Sequence, residues 1–128
     1  MTPKTLLLDT SSLLALGRSV WLADFLQATE ERLDRVVLTP AACLATAGRH
    51  QPHLVKHVGM LPAISVVALR YHHVLASDAW EWSELDVAHT AAVALPSPDA
   101  PEGAHVVTAN PELYKQWPFV RTIQLPPQ

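Results

Sequence analysis

Short apolar runs alternate along the chain with longer segments whose apolar residues recur at helical spacing. Apolar runs of this length, bounded by turn signals, are typical of buried parallel strands. The predicted strands are 5–9, 36–39, 104–109 and 121–125, and the run at 63–69 is either a strand or a loop. Because strands and helices alternate, we predict an α/β fold with a central parallel sheet covered by helices, in one domain that fills residues 1–128.

The helical segments carry their own boundary signals. Residues 11–34 are predicted to be helical, with a break or kink near Gly17. Pro40 fits the first turn of the next helix, and Gly48 is a candidate for its end. The remaining predictions are a short helix within 50–62, one or two helices over 71–95 that meet near Trp82 and Ser83, a loop at 96–103 and a short helix at 111–117.

Length and composition fit one soluble domain. The chain has 128 residues, of which 49% are hydrophobic, so it can bury a core without disulfide bonds. No apolar stretch reaches the roughly 18–20 residues that span a bilayer, and the N-terminal residues make a poor signal peptide. We therefore expect a cytoplasmic protein with no membrane association. The single cysteine, Cys43, lies in an apolar helical stretch and is predicted to be a buried structural thiol.

The charge balance limits the classes of function. A net charge of −3, with histidine neutral, argues against an extended electrostatic grip on nucleic acid. It leaves room for a small metal-dependent nuclease, because acidic metal sites make such proteins locally negative. Among the seven histidines, those at 50, 53 and 57 and the pair His72 and His73 are predicted to lie on the surface. His89 follows Asp86 by three residues, on the same helical face, and could reach a site there.

Polar residues stand where the predicted strands end. Asp9 follows the first strand, the helix start at 40–46 follows the second, and residues 108–110 follow a late strand. Asp86, near the start of a later helix, could join them, because the carboxyl ends of parallel strands share one edge of the sheet. Carboxylates without a cysteine or histidine frame favour a hard cation such as Mg²⁺ or Mn²⁺. The structural alternatives are a helix cap for Asp9, a helix-dipole acid for Asp86 and a turn or cap residue for Asn110.

Four segments of the sequence resemble the signature segments of the PIN domain family, and among its members the VapC-type ribonuclease toxins. The segments are LLLDTSSLLAL, LTPAACLATAG, LDVAHTAAVAL and VVTANPELY, and the resemblance covers roughly residues 5–125 in the family's order. It implies a three-layer α/β/α sandwich with a central parallel sheet. It also implies an endoribonuclease that cuts RNA with one or two divalent ions held by three or four acids.

Residue by residue, the resemblance implies a degenerate site. Asp9 matches the family's first acid, and Asp86 matches the acid that opens the later helix. Thr46 stands where the family usually has glutamate, and Asn110 stands where it usually has aspartate. Two of four acids therefore remain, and Asn110 could offer only a neutral carbonyl oxygen to a metal ion. Supporting polar positions of the family are matched by Ser11 and Thr108.

If the site is active, the resemblance implies hydrolysis of a phosphodiester bond by a metal-activated water, with a 5′-phosphate product. Asp9 and Asp86 would be the catalytic residues, and Mg²⁺ or Mn²⁺ would be the cofactor; an inactive site needs none. A neighbouring acid, Glu84 or Glu112, could replace a lost one. Candidate phosphate contacts in the substrate-binding region are Arg18, Arg49 and Lys56.

Three functions therefore stay open at the level of sequence. The first is a weak metal-dependent ribonuclease. The second is a catalytically inactive PIN-like module that binds RNA or a protein. The third is an attenuated toxin whose antitoxin-like partner packs on a helical groove. The high apolar content, with only 16% charged residues, also favours a homodimer.

Overall fold

The structure, a computed structural model, describes residues 4–31, 35–76, 84–96 and 101–126. In these ranges five strands form one sheet, in the order β3-β2-β1-β4-β5, and each neighbouring pair is parallel. The strands are β1 Thr5–Leu8, β2 Val36–Pro40, β3 Ile64–Val67, β4 His105–Thr108 and β5 Arg121–Gln124. The predicted parallel sheet is confirmed, and the ambiguous run at 63–69 contains a strand.

The helices flank this sheet and also follow the predicted order. They are α1 Thr10–Leu14, α2 Val20–Glu30, α3 Ala41–His50, α4 Leu54–Gly59, α5 Tyr71–Ala76 and α6 Leu85–Val93, with a 3₁₀ helix at Pro111–Tyr114. The predicted break near Gly17 is confirmed, because α1 ends before it and α2 begins after it. Two separate helices occupy the region 71–95, and their expected meeting point at 82–83 lies outside the described residues. Within the described residues, no helix combines the length and apolar character needed to cross a membrane.

The two faces of the sheet each bury their own hydrophobic core. Successive strand residues point to opposite faces, so Leu6 and Leu8 enter one core and Leu7 enters the other. The first core contains residues of α1 to α4, among them Leu13, Leu22, Cys43, Ala47, Leu54 and Val58. The second contains Ala91 of α6 together with Tyr114 and Trp117. This arrangement is a three-layer α/β/α sandwich, in agreement with the expected fold class.

Two boundary predictions for α3 are wrong. Pro40 is the last residue of β2 and the N-cap residue of α3, so it precedes the first turn of the helix instead of lying in it. The helix also continues past Gly48 to His50. A Cβ atom at Gly48 would lie only 2.7 Å from Cγ2 of Val55, so this glycine permits the close approach of α4 and does not end the helix.

The strand order reverses between β1 and β4, which makes their carboxyl ends a topological switch point. From the central β1 the chain adds β2 and β3 on one side, and it then returns to add β4 and β5 on the other. In open parallel sheets, such a topological switch point is where ligands bind. The strands on either side of it pair Leu8 with Val107, so the residues that follow β1 and β4 are neighbours.

Candidate functional site

Asp9 lies at the switch point and caps α1. Its Oδ1 accepts a hydrogen bond from the backbone N–H of Ser12 at 3.1 Å, as an N-cap residue does. The same oxygen accepts from the hydroxyl of Ser11 at 2.7 Å, and the hydroxyl of Ser12 lies 3.3 Å away. The side chain is 3% exposed. Asp9 therefore has the helix-capping role that the sequence suggested as its structural alternative, because its carboxylate accepts a backbone hydrogen bond at the N-terminus of α1.

Tyr114, which the sequence analysis did not single out, engages the other oxygen of the same carboxylate. Its hydroxyl donates to Oδ2 of Asp9 at 2.8 Å, although the two residues are 105 positions apart. Burial raises the pKa of Tyr114, and the negative charge of Asp9 raises it further. The phenol is therefore held in its protonated, donating form. Both oxygens of Asp9 thus accept hydrogen bonds from inside the protein.

Asp86 contacts Thr10, the residue that follows Asp9 in the chain. It is half-buried in the first turn of α6, where a negative charge interacts favourably with the helix dipole. Its Oδ2 accepts a hydrogen bond from the hydroxyl of Thr10 at 2.5 Å, and Thr10 follows Asp9 directly in the chain. The fold therefore brings Asp86 to the residue next to Asp9, and no sequence pattern indicated this role for Thr10.

The ends of β1 and β4 are joined by two hydroxyl groups. The Oγ of Ser11 lies 3.3 Å from Oγ1 of Thr108 and accepts from the backbone N–H of Ala109 at 2.9 Å. Thr108 in turn accepts from the backbone N–H of Asn110 at 3.0 Å. Ser11 and Thr108 therefore connect the segments that follow β1 and β4. The side chain of Asn110 is exposed and makes no capping bond to the 3₁₀ helix that follows.

The other candidate oxygen ligands do not add a third charge. The hydroxyl of Thr46 donates to the carbonyl of Ala42 in its own helix at 3.0 Å. Glu84 is the exposed N-cap residue of α6, and Glu112 is exposed on the 3₁₀ helix. Among the described residues, no group of three or more histidines, cysteines and acids could hold a metal ion. Neither glutamate therefore completes a three-acid group with Asp9 and Asp86.

The predicted phosphate contacts are exposed and spread over three elements. Arg18 follows α1, and its guanidinium donates to the carbonyl of Leu14 at 3.4 Å. Arg49 lies in the last turn of α3, and Lys56 lies in α4. Seven residues separate Arg49 from Ala42 at the start of α3, which is about 10 Å along a helix. Arg49 therefore stands at the end of α3 remote from the acids, although its long side chain remains free to reach solvent.

Cys43 is buried, as the sequence predicts, and it lies beside the backbone of Asp86. Its sulfur lies 3.0 Å from the hydroxyl of Thr90 and 3.4 Å from the carbonyl of Asp86. Burial raises the pKa of Cys43 to about 12, and the charge of Asp9 acts in the same direction. The thiol is therefore protonated and structural. Thr90 also donates to the carbonyl of Asp86 at 2.8 Å.

Two histidines are buried beside the site, and one of them corrects a prediction. His73 was expected on the surface but is buried, and its Nδ1 accepts from the backbone N–H of Arg70 at 3.0 Å. His89 is fully buried, with its ring 5.0 Å from that of His73, and its Nδ1 accepts from the backbone N–H of Ala42 at 3.4 Å. Its Nε2 is buried without a hydrogen-bond partner. The exposed histidines at 50, 53 and 57 agree with the prediction.

The pKa of His89 reflects this position. Burial, followed by the neighbouring His73, lowers the pKa to about 4, and the backbone of Ala68 acts in the opposite direction. His89 is therefore neutral at pH 7 and supports the first turn of α3 by accepting a backbone hydrogen bond. It faces α3 and α5, where it contacts Ala42 and His73.

Comparison with protein-family models gives no match for this chain, and comparison with curated proteins gives none either.

Proposed function

We propose that this protein is a PIN-like domain with a degenerate metal site, and at best a weak Mg²⁺- or Mn²⁺-dependent ribonuclease related to the VapC-type toxins. The observation that carries the proposal is the hydrogen bond between Asp86 and Thr10, the residue that follows Asp9, at the switch point of a parallel sheet. Two carboxylates at the carboxyl edge of such a sheet are enough protein ligands for a hard cation, because Mg²⁺ often binds one or two carboxylates together with waters and substrate phosphate.

The residues of this site are poorly suited to bind a divalent cation tightly. A carboxylate about 4 Å from a divalent cation supplies roughly 8 kcal/mol of gross attraction at an effective dielectric of 20, before desolvation. Thr46 and Asn110 supply no charge where the resemblance calls for acids. Both oxygens of Asp9 and one oxygen of Asp86 already accept hydrogen bonds from the protein. We therefore expect weak cation binding and slow cleavage.

The second candidate is a catalytically inactive PIN-like module that binds RNA or a protein. The satisfied state of Asp9 favours it, because a buried carboxylate with a donor on each oxygen is stable without a metal ion. In either case we expect a cytoplasmic homodimer whose partner is RNA or an antitoxin-like protein. Its exposed basic side chains, Arg18, Arg49 and Lys56, would contact phosphate groups.

The test measures metal binding and RNA cleavage side by side. Mg²⁺ and Mn²⁺ are titrated by calorimetry into the wild-type protein, Asp9→Asn and Asp86→Asn, and each protein is incubated with a pool of mixed single-stranded RNA. Asparagine is as good an N-cap as aspartate, so Asp9→Asn removes the charge while it keeps the cap. Asp24→Asn on the exposed surface of α2 is the matched control for charge.

Binding and cutting that vanish in both site variants, and persist in Asp24→Asn, would support the nuclease. No binding at millimolar metal and no cutting above the background of Asp9→Asn would favour the binding module. In that case the protein is tested for retention of the uncut RNA from the same pool. Retention would indicate an RNA-binding module, and no retention would indicate a protein-binding one.

A further inference from the structure

The hydrogen bond between Tyr114 and Asp9 affects how available the Asp9 carboxylate is to a cation. Both side chains are 3% exposed, and the hydroxyl of Tyr114 lies 2.8 Å from Oδ2 of Asp9. On the other oxygen, Oδ1, the donors are the backbone N–H of Ser12 and the hydroxyl of Ser11, and the hydroxyl of Ser12, which donates to the carbonyl of Val107, lies 3.3 Å away. That oxygen is committed to the start of α1. A cation that used Asp9 would therefore bind through Oδ2, which already accepts the hydrogen bond of the phenol on one of its two lone pairs.

The phenol is a poor substitute for a carboxylate ligand. A protonated hydroxyl that donates to Oδ2 directs its hydrogen, with its partial positive charge, toward the oxygen that a cation needs. The ring is fixed by burial and by its neighbour Trp117, whose ring centroid lies 6.5 Å away. Tyr114 is therefore held in the position that satisfies Asp9 in the absence of a metal ion.

We propose that Tyr114 is a positioning residue that competes with divalent cations for Asp9, because its hydroxyl donates to the carboxylate oxygen on which a cation would bind. This inference rests on the proposed function in one respect, namely that Asp9 and Asp86 form the cation site. It adds an internal reason for weak binding that is independent of the missing acids at Thr46 and Asn110. Removal of the hydroxyl should therefore strengthen cation binding, which a purely structural role does not predict.

The experiment compares Tyr114→Phe with Tyr71→Phe. The protein has two tyrosines, and Tyr71 is 76% exposed, so its variant is a matched control for the loss of one hydroxyl. Free Mn²⁺ is measured by electron paramagnetic resonance during titration of each protein, and the Tm is measured with and without millimolar Mn²⁺. We expect the Kd of Tyr114→Phe for Mn²⁺ to fall about tenfold, the low end of what a hydrogen bond to a charged group is worth. Mn²⁺ should also raise the Tm of this variant more than that of the wild type.

Two further variants exclude trivial explanations. Asp9→Asn combined with Tyr114→Phe should lose the gain, because the freed oxygen belongs to Asp9. Tyr114→Met also lacks the hydroxyl and fills the space with a flexible apolar chain, so it should show the same direction of change if the phenylalanine variant does not fold.

The possible results separate this inference from the proposed function. Wild-type protein that neither binds nor cuts, together with a Tyr114→Phe variant that binds Mn²⁺, would support the inference and overturn the weak nuclease. Wild-type protein that binds and cuts, with no tighter binding in the hydroxyl-free variants, would overturn the inference alone. The absence of binding in all of them, or a gain that survives Asp9→Asn, would also overturn the inference.

Discussion

The hydroxyl of Thr10 donates a hydrogen bond to Oδ2 of Asp86 at 2.5 Å, and this contact joins segments that lie 76 residues apart. Thr10 is the first residue of α1, and Asp86 lies in the first turn of α6. The starts of two helices on different sides of β1 are thereby fixed to each other. The same bond brings Asp86 next to the residue that follows Asp9, so it contributes both to the stability of the fold and to the geometry of the site.

Loss of the Thr10 hydroxyl should therefore lower stability. We expect Thr10→Val, which keeps the side-chain shape, to reduce the free energy of unfolding by about 1–3 kcal/mol, because a hydrogen bond to a charged group is lost. Thr10→Ser keeps the hydroxyl and should lose less than half as much. Urea denaturation followed by circular dichroism measures both. Equal losses in the two variants would contradict a role for the hydroxyl.

Asp9 should be more important for stability than an ordinary helix cap. We expect Asp9→Ala to lower the free energy of unfolding by about 2–4 kcal/mol, because it removes the cap of α1 and leaves the buried hydroxyl of Tyr114 without its acceptor. Asp24→Ala, on the exposed face of α2, should change it by less than about 0.5 kcal/mol. Denaturation in urea compares the two, and similar small effects would show that Asp9 is not a structural anchor.

The free energy of unfolding should decrease as the pH is lowered, because His89 is buried in its neutral form. Its pKa is lowered from 6.5 to about 4 in the folded protein, so between these values the unfolded chain binds more protons. The stabilisation is complete above pH 6.5 and is lost as the pH falls toward 4, by about 3 kcal/mol at most. The lowered pKa values of His73 and His105 act in the same direction.

The pH effect can be assigned to this side chain by substitution. His89→Gln should flatten the dependence of Tm on pH between 4 and 6.5, whereas His50→Gln, at an exposed position, should leave it unchanged. The comparison uses the slope against pH, because the substitution at a buried position will lower the Tm at every pH. Parallel slopes for His89→Gln and the wild type would assign the acid sensitivity to other groups.

Substitution of two different glycines by alanine should change the free energy of unfolding in different directions. Gly103 has a φ of 75°, and a Cβ there would lie 2.6 Å from the carbonyl oxygen of Ala94. Gly103→Ala should therefore lower the free energy of unfolding by about 2 kcal/mol or more. Gly59 lies in α4 with open space around it, and Gly59→Ala should be neutral or stabilising by up to about 1 kcal/mol. Thermal denaturation of the pair gives the sign of each change.

Cys43 should be unreactive in the native protein. The thiol is buried, and burial raises its pKa to about 12, so little thiolate exists at neutral pH. A thiol reagent such as Ellman's reagent should react with Cys43 only in denaturant. Rapid labelling of native protein would mean that the polar cluster of Cys43, Thr90 and Asp86 opens readily.

The sequence by itself determined the fold class and most of the elements. Apolar runs, helical spacing and turn residues are local signals, so they located the strand at 36–39, the break near Gly17 and the polar ends of the strands. They also located Asp9 and Thr108 at one edge, because a parallel sheet places every carboxyl end on the same side. Asp86 was identified through the start of its helix and the family resemblance.

Tertiary structure alone decided how those residues are used. Local patterns carry no information on contacts between distant segments, so nothing in them indicated that Tyr114 would bind Asp9 across 105 residues. The burial of His73 and the continuation of α3 past Gly48 likewise depend on neighbouring helices. The sequence gives the residues at the sheet edge, and the packing of remote elements determines which of their oxygens remain available to a ligand.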